Sequence, residues 1–271
     1  MGVPLVLHYH SVGDVARGLD PDNLVIEPDR LRFHLRSVTR LRRRFVPLAV
    51  LVETLVKRRP AGDLCALTFD DGAVDNLTLL PPILREFGAP ATVFACPGLL
   101  GQPHPSFLPR AGIRLMTAEE LQELSKLDGF EIGSHTTRHL PLDDASAEQA
   151  MAEMSESKAA LEDLLGCPVT SFAYPRCGYS PACPDAARRA GYRCAVTCGR
   201  RGSWDPYELR RTSPDRLDSR LTMWLRARNL YDPLWSSLPG RAMRRVLRPI
   251  RHPQSVRAPD EPTRSAAPPP P

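Results

Sequence analysis

Short apolar runs alternate with amphipathic stretches along most of this 271-residue chain, and that alternation limits its fold more than any other feature. Residues 5–8, 65–69, 91–95, 130–133, 171–174 and 193–197 have the length and side-chain types of buried strands. Between them, residues 28–41, 75–87, 118–127, 147–165 and 184–190 carry apolar side chains at helical spacing. The fourth helix has the clearest ends, with Ser146 placed to accept from its first free amides and Gly166 as its stop. Strands alternating with helices read as β-α units, which build a parallel sheet, either a closed barrel or an open doubly wound layer. In both, ligands gather at the carboxyl ends of the strands. The chemically capable residues fall at those ends: His8 and His10, Asp70 and Asp71, His135, and Pro175. The proline- and glycine-rich stretch 99–115 reads as a long surface loop near the mouth of a site.

The pattern changes after Ser213. Residues 217–247 read as two amphipathic helices broken at Pro233 and at Pro239-Gly240, and from Pro249 onward the chain is too rich in proline and arginine to bury a core. The net charge of +5 belongs to this end: from Asp215 onward eleven arginines face five acidic residues, so the first 214 residues are close to neutral. Trp224 and Trp235 beside Arg226, Arg228 and Arg241 suit a helix lying on an anionic membrane surface. They suit equally a helix packed on the body with its arginines in water. No nucleic-acid-binding motif accompanies the charge, so nucleic acid is not an expected partner. The longest apolar stretch, residues 45–56, is too short to span a bilayer and contains Pro47 and Glu53. Neither a basic leader nor a small-residue cleavage site follows Met1, so the expected location is the cytoplasm, with or without peripheral membrane contact. Seven cysteines include no C-x-x-C pair, and several lie inside apolar runs. The expectation is buried thiols in a reducing compartment rather than a disulfide framework. The later group of Cys177, Cys183, Cys194 and Cys198 matches no common zinc spacing.

Three segments carry chemistry. Leu67-Thr68-Phe69-Asp70-Asp71-Gly72 ends an apolar strand in adjacent carboxylates, which repel unless a cation or shared proton lies between them. Gly72 lets the backbone turn sharply enough for both to reach one point; the plain alternative is a solvated Asp-Gly turn. His135 and His139, four residues apart after another strand, can serve one ion if the intervening residues form a helical turn. Joined to an aspartate from another strand end, they give a two-histidine, one-carboxylate metal site with room for water and substrate. In Tyr174-Pro175-Arg176-Cys177-Gly178 the amide after Pro175 is placed to stabilise an oxyanion, unless the segment is an ordinary β-to-α turn.

Taken together and in this order, T-F-D-D-G, H-T-x-x-H and F-x-Y-P resemble the successive motifs of the polysaccharide deacetylase (NodB-homology, carbohydrate esterase 4) family, and Leu7-His8-Tyr9-His10-Ser11-Val12 is similar to the opening of one bacterial branch. The resemblance runs from about Pro4 to about Ser213. It implies a distorted (β/α)7 barrel over residues 1–214; the charge and proline pattern beyond it reads as a basic helical extension (215–248) and a disordered tail (249–271). It also implies a hydrolase of non-peptide C–N bonds that removes N-acetyl groups from N-acetylhexosamine in a glycan or lipid-linked sugar. Asp71, His135 and His139 would hold one divalent ion, zinc first, with cobalt, iron or nickel as alternatives. Asp70 would be the general base, Tyr174, Pro175 and Arg176 the oxyanion turn, and His10 the candidate acid, with His8 the lesser choice and itself readable as a packed core histidine. Two positions depart from the pattern: Cys177 stands where the turn usually has glycine, and the arginine that orients the base in many relatives is missing. Arg176, Arg210 and Arg211 remain as replacements. A hydrolase of a small non-sugar amide or imide, and a catalytically silent sugar-binding protein, are the competing readings.

Overall fold

The structure, a computed structural model, describes residues 3–103, 112–198 and 202–231. Its elements run β1 (Leu5–Tyr9), β2 (Ser11–Val12), β3 (Val25–Ile26), α1 (Pro28–Arg40), β4 (Arg44–Phe45), α2 (Leu48–Val56), β5 (Leu64–Phe69), α3 (Asp75–Thr78) and α4 (Leu80–Arg85). There follow β6 (Ala91–Ala95), α5 (Ala118–Ser125), β7 (Phe130–Ser134), α6 (Ala147–Leu165), β8 (Ser171–Ala173), α7 (Cys183–Arg189), β9 (Cys194–Cys198), β10 (Leu209–Arg211) and α8 (Arg220–Ala227).

Eight parallel strands form one sheet: seven run in the order β1-β5-β6-β7-β8-β9-β10, and the short β4 pairs with the start of β5. Thr212 closes it onto the first strand: the His8 amide donates to the Thr212 carbonyl at 2.9 Å, and the Thr212 amide to the Val6 carbonyl at 2.9 Å. The ring is distorted where β7 meets β8, which share the single registered pair Ser134 and Phe172. This is a nearly closed (β/α)7 barrel.

Period-two alternation sorts its side chains. Leu5, Leu7, Leu67, Phe69 and Phe172 pack outward in one large cluster with the helices, among them Leu31 and Leu35 of α1. Val6, Ala66, Phe94, Ala173, Val196 and Leu209 form a second cluster with Leu48, Leu51 and Val52 of α2. Each fully buried large side chain of this kind is worth roughly 1.5–3 kcal/mol. The Phe94 ring lies on Gly133, its register partner, so closely that a Cβ there would stand 2.4 Å from the ring. No larger residue fits at Gly133.

The helices follow their local chemistry. Helix α6 begins with a capping box between Ser146 and Gln149 and ends at Gly166 in the left-handed conformation (φ 66). The single helix expected over 75–87 is instead two, broken at Leu79, because Pro81 and Pro82 have no amide to donate backward. Most of the apolar stretch 45–56 is α2, whose Leu48, Leu51 and Val52 are buried. Among the described residues no helix is long and apolar enough to cross a membrane.

The described part of the basic extension packs on the barrel. Met223, Arg226 and Ala227 of α8 are buried. Arg226 bonds to Asp218 (2.7 Å) and lies over the Tyr231 ring, while Arg228 covers Trp224. The described helix stops at Ala227; the expected second helix and the tail lie outside the described residues, as does part of the 99–115 loop.

Candidate active site

The residues singled out by sequence converge at the carboxyl ends of β1, β5, β7, β8 and β10. Asp70 and Asp71 follow β5 and are almost fully buried. Asp71 (φ 73) and Gly72 (φ 72) are both left-handed, so the chain reverses at once and both carboxylates stay at the barrel mouth. His135 follows β7 directly, but the segment to His139 is not a helical turn. It is a turn with Thr136 (φ 62) and His139 (φ 58) left-handed, pinned by the Leu140 amide on the Thr136 hydroxyl (2.9 Å) and the Thr137 amide on Glu153 (3.0 Å). The two imidazoles meet all the same, edge to face with ring centres 5.0 Å apart.

Asp71, His135 and His139 each offer an atom to one point. Oδ1 of Asp71 lies 3.5 Å from His135 Nε2 and 3.5 Å from His139 Nε2. Donors about 2.1 Å from a tetrahedral ion stand about 3.4 Å apart, so the spacing suits an ion such as zinc. His135 Nδ1 lies 2.7 Å from the Ala173 carbonyl, which accepts only, so the proton is on Nδ1 and the Nε2 lone pair faces the cluster.

Asp70 is held differently. The Arg211 guanidinium, fully buried, donates to both of its oxygens, at 2.6 and 2.7 Å. Arg211 also donates to the Thr68 hydroxyl (3.1 Å) and the Thr197 carbonyl (3.2 Å), and its charge stands 5.7 Å above the Phe94 ring. Of the three arginines the sequence left open, Arg211 is the one in contact with Asp70. His8 reaches the same carboxylate, with Nε2 2.9 Å from Oδ2, while its Nδ1 meets the Ser213 hydroxyl at 2.8 Å. Burial alone would raise the Asp70 pKa; Arg211, then His8 and His135, outweigh it and hold the carboxyl well below its ordinary range. His8 is buried, but its partners are polar residues of the site rather than an apolar core. His10 stands beside it with ring centres 4.6 Å apart and is pushed down to about 4, by burial first and then by His8.

The Tyr174–Gly178 turn closes the remaining side. Tyr174 and Pro175 are buried, and the Tyr174 hydroxyl donates to the Tyr207 carbonyl at 2.9 Å. Arg176 (φ 53) and Cys177 (φ 60) are both left-handed, a conformation that favours glycine. Cys177 is disulfide-bonded to Cys198 at the end of β9. The expectation of seven free thiols is thereby corrected: five cysteines are free, and the pair joins neighbouring strand ends that sequence spacing could not bring together. Among the described residues no cluster joins Cys183 or Cys194 to a metal-binding group.

A nearly closed parallel (β/α)7 barrel thus carries an aspartate-dihistidine cluster beside an arginine-clamped aspartate, all at the carboxyl end of the strands. The polysaccharide deacetylase family model matches residues 57–195, and the chain belongs to that family. It is 30% identical over 140 residues to the polysaccharide deacetylase-like protein YxkH of Bacillus subtilis (strain 168), an alignment covering 52% of this chain and 46% of that one. The chain thus spans about half the length of the curated relative it matches. Among solved structures it resembles the deacetylase PplD of Streptococcus pyogenes in complex with acetate (TM-score 0.70, 24% identity, 84% of this chain and 99% of that one). It also resembles IcaB from Ammonifex degensii (TM-score 0.66, 20% identity, 85% and 98%). At these identities the structural likeness speaks for the fold.

Proposed function

We propose that this chain is a metal-dependent hydrolase that removes N-acetyl groups from N-acetylhexosamine units of a glycan or lipid-linked sugar. The observation that carries the reading is the pairing of two unlike sites on one mouth: a three-donor cluster at metal-ligand spacing, and an arginine-held carboxylate next to it. Family membership points the same way. Asp71, His135 and His139 would hold the ion, zinc being the first candidate. When bound, such an ion supplies Lewis acidity, lowering the pKa of water and polarising the acetyl carbonyl.

The chain's own residues supply the rest. Asp70 takes the proton from the attacking water, its two oxygens kept in place by Arg211 and His8. Within the turn, Pro175 has no amide, while those of Cys177 and Gly178 donate to the carbonyls of Tyr174 and Pro175. Arg176 is left to face the developing oxyanion. His10 gives a proton to the departing amine as the C–N bond breaks, leaving acetate and the free amino sugar. His8 is the poorer choice because both its ring nitrogens are engaged, one on Asp70 and one on Ser213.

The test is acetate release by the purified full chain from a panel of N-acetylglucosamine oligomers and nucleotide- or lipid-linked N-acetyl sugars. Release from at least one, lost on chelation and restored by a divalent ion, supports the reading. Hydrolysis of small non-sugar amides alone, or of nothing at all, would replace it with one of the two competitors.

A further inference from the structure

We infer that the Cys177–Cys198 disulfide is a positioning element of the amide-hydrolysing site: it holds the Tyr174–Gly178 turn in the form that presents the Arg176 amide, so turnover follows the redox state of this one pair. The inference rests on the hydrolase reading above. Two consecutive non-glycine residues, Arg176 (φ 53) and Cys177 (φ 60), occupy the left-handed region, at a cost on the order of 1 kcal/mol each. A turn of that kind persists only when its surroundings fix it. Here two devices do so. The Thr197 hydroxyl donates to the Cys177 carbonyl at 2.8 Å, and the disulfide ties Cys177 to the residue after Thr197.

The anchor point matters as much as the bond. Cys198 is the register partner of Arg211, whose guanidinium clamps Asp70 and also bonds to the Thr197 carbonyl. Both sulfurs lie within 4.8 Å of a ring nitrogen of His8. The disulfide therefore links the oxyanion turn to the strand end that carries the base's counter-ion. Both cysteines are half-buried, so a small reductant can reach them. A dithiol breaks the S–S bond by exchange: two electrons and two protons pass to Cys177 and Cys198 as thiols, and the dithiol closes to its own disulfide.

The experiment uses the full chain loaded with a divalent ion and an N-acetylglucosamine oligomer, with acetate release as the rate. Free thiols counted in denaturant should rise from five to seven on treatment. At seven thiols kcat should fall about tenfold, less than the roughly 10²–10³-fold lost when an oxyanion donor is removed outright. KM and ion content should stay constant, and reoxidation should restore the rate. The C177S/C198S double variant should show the same loss and ignore the dithiol. C177G/C198S should regain most of the rate, because glycine adopts the left-handed conformation without steric cost. An unchanged kcat at seven thiols, loss of the ion in step with the rate, or a glycine variant as slow as the serine one would each overturn the inference. If the oxidised chain releases no acetate from any substrate, the hydrolase reading fails separately. Amide exchange then decides about the turn: faster exchange at Arg176, Cys177 and Gly178 on reduction, with 68–72 and 133–139 unchanged, upholds the positioning role, and no change at the turn ends it.

Discussion

Replacing Arg211 by lysine tests the tightest contact in the site. The guanidinium makes four hydrogen bonds from a fully buried position: two to Asp70, one to the Thr68 hydroxyl and one to the Thr197 carbonyl. A lysine keeps the charge and one bond to Asp70 but cannot reproduce the fork. It gives up three bonds from a charged donor, one to Asp70 and one each to the Thr68 hydroxyl and the Thr197 carbonyl, a loss of about 4–5 kcal/mol at the lower end of what such bonds are worth. In a domain of this size that lowers Tm by about 8–20 °C. The same change frees the carboxylate to swing, and a misplacement of about 1 Å costs roughly 10²-fold in rate. Metal content should not move, since the hydrogen bonds of Arg211 go to Asp70, Thr68 and Thr197. Thermal melts, acetate release and metal analysis on Arg211→Lys read all three quantities. A double-mutant cycle with Asp70→Asn isolates the pair: the stability loss should shrink by about 2 kcal/mol once the carboxylate is gone. If Arg211→Lys costs the Asp70→Asn protein as much as the parent, to within about 0.5 kcal/mol, the guanidinium is not acting through Asp70 and the reasoning fails.

Other outcomes follow from the same geometry. His135→Ala and His139→Ala should each lose the divalent ion measured by elemental analysis, whereas Asp70→Asn should keep it and lose about 10²–10⁴-fold in rate; a parent protein that binds no ion under metal-replete conditions refutes both. His10→Ala should slow turnover at constant metal content, and an unchanged rate in that variant would exclude it as the acid. His34, buried with Nδ1 3.2 Å from the Tyr9 hydroxyl, is pushed down to about 4 by burial. Its folded pKa lies below the unfolded value of about 6.5, so the unfolded chain takes the proton first. The stability it contributes is complete above about pH 6.5 and lost as pH falls through 4, about 3 kcal/mol in all. Urea midpoints of the parent and His34→Gln should therefore diverge above pH 6.5 and converge toward pH 4, and parallel pH dependences would contradict this.

Much of this architecture was legible because burial writes itself into long patterns. Six of the seven barrel strands stand out as apolar runs. The seventh, β10, did not, because Leu209-Arg210-Arg211 is short and mostly charged. Its alternation nonetheless holds the answer to the missing arginine: Leu209 faces the inner cluster, so Arg211, two residues on, points the same way and Arg210 does not. The family match over 57–195 spans Asp70, Asp71, His135, His139 and Arg176, but His8, His10 and Arg211 lie outside it. Those are the positions where sequence offered competing candidates. The disulfide had no signal at all. Cys177 and Cys198 are 21 residues apart and become neighbours only because β8 and β9 pair. Nor does residue spacing reveal a turn such as 135–139, where left-handed residues replace the helical turn that a four-residue interval suggests.

The seam between β1 and β10 sets the order in which the chain can become competent. Asp70 is separated from Arg211 by 141 residues, and from Thr212 onward the chain stitches itself to its own beginning. During synthesis every proposed metal ligand is made well before Arg211. An unfinished barrel would have to bury the Asp70 carboxylate without its counter-ion, at a cost of several kcal/mol, or leave that strand end open to water. Contacts this remote also form late and slowly, because the intervening loop entropy must be surrendered first. A nascent chain released short of residue 211 would therefore carry all three proposed metal ligands but leave Asp70, the proposed base, without its clamp, and the proposed chemistry at this mouth would begin only once the final strand had locked in place.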